Sequence, residues 1–482
     1  MRNRHAVLAG LAFAGMALAC ATNPATGRRQ LMLVSEEQER AMGLQADKEV
    51  VAQYGTYADT GLSVYVAGIG KDLAARSERP DLSWTFRVVD DPAVNAFALP
   101  GGYIYVTRGL LTHLSSEAQL ASVLGHEIGH VTGRHSAAQM SQQQLATVGL
   151  VAGMVARPDL AERFGGLAQT GLGVLFLKFS RDDETEADEL GYRYAGRAGY
   201  ELREMPAVFR TLGGLSPGSD RLPGWLQTHP DPQDRVRSIE ARLAAEPPPR
   251  GRVERPKYLR GLAGVAFGED PREGFFRGTS FLHPEMRFRL DFPDGFKTSN
   301  QKTSVAALSP SEDAVVILSL AGTDPPEEAA RAFSAREEIR VDELRRTRVN
   351  GLPAAEATFQ AVSGQRSFTG RALFVSHEGR TFRILGYASP ARFPAYAREI
   401  ERSLSSFAPL RDPEALSVQP RRVSLVQLDR AMGLEEFGRL HPSTVPLETV
   451  ALINQVFDGG TVGPGLVKRV TGGPGRDTLG ER

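Results

Sequence analysis

Several features common in chains of 482 residues are scarce here. Cys20 is the single cysteine, so no disulfide can form within the chain. Neither sign of charge is in excess, because 57 basic residues balance 57 acidic ones. Phosphate binding needs a basic excess, so we expect no nucleic acid among the partners. Apolar runs such as 145–156 and 172–179 are too short to span a bilayer, and we find no internal repeat of fixed period.

The most informative stretch is the motif His-Glu-x-x-His at residues 126–130. Residues four apart share one face of an α-helix, so His126 and His130 can direct their imidazoles at one ion, and zinc suits such a pair. Glu127 lies beside the first histidine, where it could take a proton from a water on that ion. This pattern is the zinc-metalloprotease signature, although three fixed residues also recur by chance.

The sequence around the motif predicts a helix. Ser116 followed by Gln119 fits a capping box before an apolar run. Apolar residues then recur at the spacing of a buried helical face, at Leu120, Val123, Leu124, Ile128 and Val131. Gly129 is a poor helix former, so either a close neighbour requires it or its presence is accidental.

A catalytic zinc ion usually has three protein ligands and a water, so a third ligand is needed. A metzincin would place a histidine at position 136, where this chain has serine, and His135 is one position too early. The alternative is a glutamate on a second helix, and an acidic segment offers Glu184. Asp188 shares its helical face and could receive the other ring N–H of His126. The same segment could equally be an acidic, solvated face.

Four strings occur in order within residues 30–246. They are Val-Asn-Ala-Phe-Ala-Leu-Pro-Gly-Gly-Tyr-Ile-Tyr-Val-Thr at 94–107, His-Glu-Ile-Gly-His-Val-Thr-Gly-Arg-His at 126–135, Ser-Arg-Asp-Asp-Glu-Thr-Glu-Ala-Asp at 180–188, and Thr-His-Pro-Asp-Pro at 228–232 with Arg235. Together they resemble the family-48 zinc metallopeptidases, the group of the CAAX prenyl protease and the HtpX protease.

The resemblance implies a metal site and a reaction. By it, His126, His130 and Glu184 are the ligands of one Zn²⁺ per chain, and Glu127 is the catalytic acid/base. Glu186 could compete for the third position, but the family pattern requires Ala-Asp two residues later, which selects Glu184. The zinc ion would polarise the scissile carbonyl and acidify a water, and Glu127 would pass its proton to the leaving amine.

Two further residues are candidates for catalytic roles. Arg235 could stabilise the oxyanion of the tetrahedral intermediate, or it could be a surface cation on a helix. His229 could approach the metal, where it would either assist the transition state or occupy the open fourth position and hold the enzyme inactive. It could also be a turn residue before Pro230.

Residues 94–107 predict two strands joined by a turn at Pro100-Gly101-Gly102. In a zincin-like fold such an edge strand can pair with an extended substrate. The resemblance therefore makes the first strand a candidate substrate-binding segment, with residues Asn95, Ala96, Phe97 and Ala98. The apolar segments 145–156 and 172–179 lie between the two metal-binding helices and could cover the site as helices or a lid.

The N-terminus predicts export. Arg2 and Arg4 precede a short apolar run, so residues 1–19 resemble a signal peptide. Cys20 follows at the place of a lipidated cysteine, although Ala-Leu-Ala at 17–19 also fits ordinary cleavage. We expect an anchor in the bacterial outer membrane facing the periplasm, with a soluble periplasmic protein as the alternative.

The fold class that we predict is α+β. A mainly helical, zincin-like metallopeptidase domain with a small substrate-binding hairpin spans 20–246, and a Pro-rich linker and connector spans 247–279. An α+β binding domain follows at 280–411, with a helix at 327–339 and turns at Asn350-Gly351 and His377-Glu378-Gly379; it is faintly similar to domains of the PsbP and Mog1 type. We expect a LysM-like tail module at 412–471 and a disordered tail at 472–482.

Two classes of function follow from these features. The first is a zinc endopeptidase that degrades misfolded or stalled cell-envelope proteins, as the resemblance implies. The second is a chaperone-like envelope assembly factor, in contact with assembly machinery, whose proteolysis is latent or secondary. The complete set of His126, Glu127, His130, Glu184 and Asp188 favours the peptidase.

Overall fold

The structure is a computed structural model that describes residues 20–156, 179–215, 225, 228–229, 232–364, 366–457 and 459–473. It mixes helices and sheets, which is the α+β class predicted from the sequence. The predicted signal peptide at 1–19, most of the segment 172–179 and most of the tail at 472–482 lie outside the described residues. Within the part that is described, no helix combines the length and apolarity needed to cross a membrane.

The elements are numbered along the chain. The helices are α1 (Glu36–Tyr54), α2 (Thr60–Ala74), α3 (Arg108–His113), α4 (Glu117–Thr132), α5 (His135–Ala156), α6 (Arg181–Arg197), α7 (Met205–Gly213), α8 (Pro232–Ala245), α9 (Arg255–Leu262), α10 (Pro326–Ser334), α11 (Phe393–Ser405), α12 (Pro413–Leu416), α13 (Leu434–Leu440) and α14 (Leu447–Ile453). The strands are β1 (Cys20–Thr22), β2 (Arg29–Leu31), β3 (Thr85–Val89), β4 (Ala96–Leu99), β5 (Tyr103–Thr107), β6 (Phe275–Arg277), β7 (Ser280–His283), β8 (Phe288–Asp291), β9 (Lys297–Gln301), β10 (Ser304–Leu308), β11 (Ala314–Gly322), β12 (Ile339–Val349), β13 (Leu352–Ser363), β14 (Arg366–His377), β15 (Arg380–Ala388), β16 (Ala408–Pro409), β17 (Arg421–Leu428), β18 (Met432–Gly433), β19 (Thr461–Val462) and β20 (Gly465–Gly472).

The chain divides into two compact units. The first unit contains residues up to Gly268 together with Arg422–Thr471, and the second contains Glu269–Arg421 together with the residues from Gly472 onward. The first unit holds a three-stranded sheet in which β5 lies between β3, its parallel neighbour, and β4, its antiparallel neighbour. β4 and β5 are joined by the predicted turn, where Gly101 and Gly102 have φ of 83° and 100°, a backbone conformation that glycine adopts without strain.

The centre of the first unit is α4, the helix that carries the metal-binding motif. Every residue from Glu117 to Thr132 is buried, and Ser116 caps the helix by accepting a hydrogen bond from the backbone N–H of Gln119 at 3.2 Å. The Gln119 carboxamide oxygen accepts from the backbone N–H of Ser115 at 2.7 Å, one residue before the position of a standard capping box. The helix predicted from Ser116 onward is therefore present, with both ends inside the core.

The C-terminal segment 422–471 belongs to the same core. Val423, Phe437, Val450 and Val467 are buried in one hydrophobic cluster with the apolar face of α4. This grouping differs from the separate tail module that we expected at 412–471. The physical reason is that the segment is too small to bury these side chains against itself, so it buries them against the first unit.

The second unit is built on a seven-stranded antiparallel sheet with the strand order β12–β13–β14–β15–β11–β10–β9. One face packs on α11 through Ile400 and Leu404, and the other packs on α10 through Phe333. A four-stranded sheet, β16–β8–β7–β6, completes the unit and contributes Phe281 and Phe288 to the α11 side of the core.

The turns of this unit were predicted correctly from the sequence, whereas the end of its first helix was not. Asn350 and Gly351 both have positive φ, as do Glu378 and Gly379, which is the hairpin geometry that the sequence predicted. The helix predicted at 327–339 was wrong at its C-terminal end, because α10 stops at Ser334 and Ile339 begins β12. Pairing of β12 with β13 outweighs helix propensity there.

Candidate active site and metal centre

Two helices that cross at glycine residues form the centre. A Cβ atom on Gly129 of α4 would lie 2.9 Å from the Ala187 carbonyl oxygen of α6. A Cβ atom on Gly191 of α6 would lie 2.8 Å from the backbone nitrogen of His126. The close neighbour suggested by Gly129 is therefore α6. Because the backbones approach so closely, side chains from α6 reach the histidines of α4.

His126, His130, Glu184 and His229 converge, with one donor atom from each lying within 4.8 Å of the others. His126 Nε2 lies 3.0 Å from His130 Nε2 and 3.6 Å from Glu184 Oε2, and His130 Nε2 lies 3.5 Å from Glu184 Oε1. His229 Nδ1 lies 3.3 Å from His126 Nε2 and 2.8 Å from Glu184 Oε1. The structure thus brings together the three predicted ligands and adds His229.

These atoms fit a zinc ion. Ligands about 2.0–2.1 Å from a tetrahedral ion lie roughly 3.3 Å from one another, close to the spacings found here. Imidazole and carboxylate are also the donors that zinc takes. In addition, Glu127 is fully buried, and neither of its carboxylate oxygens accepts a hydrogen bond from a described residue.

The protonation states also suit a metal. Burial and the charge of Arg235 lower the pKa of His126 to about 4, and burial holds the pKa of His130 well below its usual value. Burial opposes ionisation of Glu184, but the charges of His229 and Arg235 hold its pKa well below the ordinary range. Metal binding requires neutral imidazoles and an ionised carboxylate, and the directions of these three pKa shifts favour those forms.

Asp188 and Arg235 support the first ligand. Asp188 Oδ1 lies 2.9 Å from His126 Nδ1, so the predicted partner of that ring nitrogen is in place. Arg235 donates to both oxygens of Asp188, at 2.8 Å and 2.5 Å, and its Nη1 lies 3.0 Å from Glu184 Oε2. Arg235 is buried beneath the Phe209 ring at 4.1 Å, so it is not the surface cation of the alternative interpretation. Its guanidinium is engaged by carboxylates, and the oxyanion role stays a prediction.

His229 lies at a bend of the chain and faces the centre. It is buried, its ring stacks on Trp225 at 4.2 Å between centroids, and its Nε2 lies 3.7 Å from Glu127 Oε1. Burial would lower the pKa of His229, but the charge of Glu184 and its hydrogen bond raise it above the ordinary value. The neighbouring Pro230 lies outside the described residues.

The candidate substrate-binding strand lies beside this centre. β4 is at the edge of its sheet, pairs with β5 alone among the described strands, and packs against α4. Ala96 is buried, whereas Phe97 and Ala98 are half-buried. Asn95 precedes the strand, with its backbone bonded to Thr107. Of the apolar segment 145–156, the structure describes the helical backbone as part of α5, and 157–178 lies outside the described residues.

Sequence reasoning missed several residues around the ligands. Phe179 stacks on the His130 ring at 4.0 Å, and His135 Nδ1 lies 2.9 Å from His130 Nδ1. The sequence argument against His135 as a ligand assumes that the helix continues through residue 135. In fact α4 ends at Thr132, and Arg134 has φ of 57°, so the chain turns and His135 points back towards His130. The signal was available in Gly133, a common helix-ending residue.

Comparisons with known proteins agree with this geometry. The profile described as Peptidase family M48 matches residues 63–243. The chain is 41% identical over 170 residues to the mitochondrial metalloendopeptidase OMA1 of Arabidopsis thaliana, 34% over 223 residues to that of Schizosaccharomyces pombe, and 30% over 224 residues to the beta-barrel assembly-enhancing protease of Escherichia coli. These matches cover 35%, 45% and 45% of this chain.

The same matches span 33%, 64% and 46% of those relatives' own lengths. Among solved structures, the cyanobacterial PsbP of Synechocystis sp. PCC 6803 matches 28% of this chain and 94% of its own, at 9% identity and a TM-score of 0.24, a likeness too weak to carry an argument. The family match falls on the residues that build the metal centre. The chain therefore contains a domain of the Peptidase family M48 type at residues 63–243.

Proposed function

We propose that the chain is a zinc-dependent endopeptidase that hydrolyses peptide bonds of misfolded or stalled cell-envelope proteins. The observation that carries this proposal is the buried convergence of His126, His130 and Glu184 beside the carboxylate of Glu127, which accepts no hydrogen bond from the described residues. Two imidazoles, one carboxylate and an adjacent acid–base group are the parts of a catalytic zinc site.

The chain's own residues supply proton transfer and orientation. Zinc, when bound, is the Lewis acid that polarises the scissile carbonyl and acidifies water. Glu127, whose pKa is raised by burial to about 7, can accept a proton from the attacking water and return it to the leaving amine. Asp188 fixes the orientation of His126, and Arg235 holds Asp188 and Glu184 in place.

An extended substrate would add to β4. The edge of this strand offers backbone groups to a peptide, and such pairing does not depend on the substrate's side chains. Residues Asn95, Ala96, Phe97 and Ala98 would form this contact. Recognition of a backbone rather than a sequence suits an enzyme whose substrates share only the property of being unfolded.

The envelope location rests on two observations. Cys20 follows an export-like segment, and we propose that it carries a lipid anchor in the outer membrane facing the periplasm, with a soluble periplasmic form as the alternative. Relatives named beta-barrel assembly-enhancing protease support contact with envelope assembly machinery. We assign client binding to the second unit.

Zinc content and cleavage of casein, measured on the same samples, test the peptidase. We expect about one zinc per wild-type chain by atomic absorption. Glu184→Ala should lose both zinc and cleavage, whereas Glu127→Gln should keep zinc and lose cleavage by about 100-fold or more. Glu189→Gln, which removes an exposed carboxylate from the same helix, should change neither. A wild-type chain purified without chelators that holds no zinc would exclude the peptidase.

A second candidate function follows from the position of His229. Its Nδ1 completes four donors around one point, and a zinc site closed by four protein ligands is typical of a structural rather than a catalytic site. The chain could thus be a chaperone-like assembly factor whose proteolysis is latent. His229→Ala should then raise casein cleavage, whereas it should lower cleavage if His229 assists catalysis. Retention of cellular function by Glu127→Gln would favour the chaperone.

A further inference from the structure

A chain of hydrogen bonds leads from the second ligand to the N-terminal hairpin formed by β1 and β2. His130 Nδ1 lies 2.9 Å from His135 Nδ1, and His135 Nε2 lies 3.2 Å from Glu186 Oε1. The Asn23 side-chain amide then donates to Glu186 Oε1 at 2.7 Å and to the Gly133 carbonyl oxygen at 3.3 Å. Asn23 and His135 are each 2% exposed, whereas the Glu186 carboxylate at the end of the sequence is partly exposed.

The direction of each bond follows from metal binding. His130 faces the centre through Nε2, so as a neutral ligand it carries its proton on Nδ1 and donates to His135 Nδ1. His135 must then carry its own proton on Nε2 and donate to Glu186. An ionised Glu186 is the acceptor that ends this sequence, and the Asn23 amide is a second donor to it. Each hydrogen bond in this sequence thus pairs one donor with one acceptor.

The local backbone is built to allow this contact. Arg134 adopts a left-handed conformation with φ of 57°, which ends α4 and directs residue 135 back along the helix. A Cβ atom at residue 133 would lie 2.4 Å from His135 Nε2, so only glycine leaves room for the ring. Asn23 is held as well, because its side-chain oxygen accepts from the backbone N–H of Ala25 at 2.9 Å.

The first ligand has a matching arrangement. His126 Nδ1 meets Asp188, and Asp188 is held by Arg235. In both ligand histidines, therefore, a buried side chain orients the ring nitrogen that faces away from the metal. That side chain is the carboxylate Asp188 for His126, and it is His135, which Glu186 holds, for His130. For His126 the carboxylate is direct, and for His130 it acts through an intervening imidazole.

We infer that His135 and Glu186 are positioning residues that fix the tautomer and orientation of His130 for zinc, and that Asn23 makes the N-terminal hairpin part of the metal centre. This inference rests on the proposed zinc site. It also gives the hairpin a role. Asn23 lies three residues after Cys20, so the segment next to the candidate lipid anchor contacts Glu186, which holds His135 against His130.

The test is the zinc dissociation constant of the full chain, measured by competition with a chromophoric chelator. His135→Leu removes the acceptor for His130 and should weaken zinc binding by about 10- to 100-fold. His135→Gln keeps an acceptor and a donor, so it should recover most of the loss. Glu186→Leu should weaken binding within the same range, and Asn23→Ala should weaken it less, because Glu186 keeps its bond to His135.

Controls separate positioning from general damage. Glu189→Gln lies on the same helix and is exposed, and Gln30→Ala removes a hairpin contact to the Gly133 carbonyl oxygen without touching Glu186; both should bind zinc like the wild type. Urea unfolding of the metal-free chain shows whether each variant folds, and visible absorption of the Co²⁺ form reports the geometry around the metal. His135→Leu should change that spectrum and His135→Gln should restore it.

Two outcomes distinguish the inference from the function on which it rests. If the wild type binds one zinc and His135→Leu binds it equally tightly, the positioning role is wrong and the zinc site stands. If the wild type binds no zinc, both are wrong. Equal weakening by His135→Leu and His135→Gln, with the Co²⁺ spectrum unchanged in both, would also overturn the inference.

Discussion

Glu127 lies in an environment that disfavours a charged carboxylate. It is fully buried, and neither oxygen accepts a hydrogen bond from the residues that the structure describes. Burial therefore raises its pKa from the ordinary 4.5 to about 7, against the opposing effect of His229. A group with a pKa near neutrality can both accept and release a proton, but the same burial destabilises the fold once the group ionises.

We expect Glu127→Gln to stabilise the metal-free chain at pH 8 and to change its stability little near pH 4.5. Between pH 4.5 and about 7 the unfolded chain loses this proton while the folded chain keeps it. The stabilising contribution of the protonated carboxyl is thus fully present below pH 4.5 and is lost as the pH rises through the folded pKa. A pKa shift of this size corresponds to ~3 kcal/mol in the free energy of unfolding.

Urea unfolding at the two pH values measures this difference. The two tryptophans, Trp84 and Trp225, both lie in the first unit, so their fluorescence reports the unit that contains Glu127. A variant with the same stability difference from the wild type at both pH values would show that Glu127 does not titrate abnormally.

Arg235 makes a separate prediction, because its guanidinium binds carboxylates in the structure. We expect Arg235→Met to weaken zinc binding by about 10- to 100-fold, since Asp188 and Glu184 lose the cation that holds them. With saturating zinc, kcat should stay within about tenfold of the wild type. Loss of an oxyanion donor would instead lower kcat by about 100- to 1,000-fold at saturating zinc, which steady-state kinetics would detect. Arg237→Met, an exposed position on the same helix, is the control.

At the scale of elements, the contact between α4 and α6 determines the site. Gly125 and Gly129 of α4 face Gly191 and Ala187 of α6, so backbone atoms of the two helices nearly touch. The spacing leaves no room for a methyl group at Gly125, Gly129 or Gly191. Glu184 reaches both ligand histidines only because this distance is short.

Gly129→Ala should therefore destabilise the chain and weaken zinc binding together. In an isolated helix the change would stabilise by about 1 kcal/mol, but here the new Cβ would lie 2.9 Å from the Ala187 carbonyl oxygen, and overpacking costs about 1–3 kcal/mol. Gly196→Ala is the matched control on α6, because its Cβ would meet Leu202 Cδ1 at an ordinary 3.4 Å. Thermal unfolding and zinc titration of both variants check this. Equal unfolding temperatures and zinc affinities of the two variants would contradict this prediction.

Local patterns predicted these elements, whereas the contacts between them depended on distant residues. Ser116 and the apolar spacing that follows gave the start and face of α4, and paired turn residues gave the hairpins of the second unit. The partner of Gly129 lies far along the chain, and periodicity within α4 carries no information about it. The contact of His135 with His130 was missed for a related reason, since the left-handed residue Arg134 ends the helical geometry on which the argument about position 135 relied.

At the scale of the whole molecule, the first unit is discontinuous in sequence. Residues 422–471 join the core that surrounds α4. Lys468 is fully buried and donates to the carbonyl oxygens of Thr112 and Leu114, at the end of α3. Gln455 bonds to Gln119 in the first turn of α4. The segment therefore supports the start of the helix that carries the metal-binding motif.

The two chain segments of the first unit that flank the second unit in sequence, at 264–266 and 422–423, pair with each other. The Gly264 N–H donates to the Val423 carbonyl oxygen at 2.8 Å, the Val423 N–H donates to the Val265 carbonyl oxygen at 2.9 Å, and Ala266 is the antiparallel bridge partner of Arg422. Antiparallel segments can be joined by a short turn. Residues 269–421 are thus placed as an insertion in the first unit.

Excision of 269–421, with Gly268 joined to Arg422 by a short Gly/Ser turn, should give a folded chain that binds zinc and cleaves casein. Truncation after Arg421 should abolish both, because it removes Val423, Phe437 and Val450 from the core and exposes the apolar side chains that they cover. Zinc content, tryptophan fluorescence and casein cleavage measure the two variants side by side. If client selection belongs to the second unit, the excised chain should cleave casein normally yet fail to relieve envelope defects in cells. An excised chain that does not fold would mean that the second unit is needed for the stability of the first.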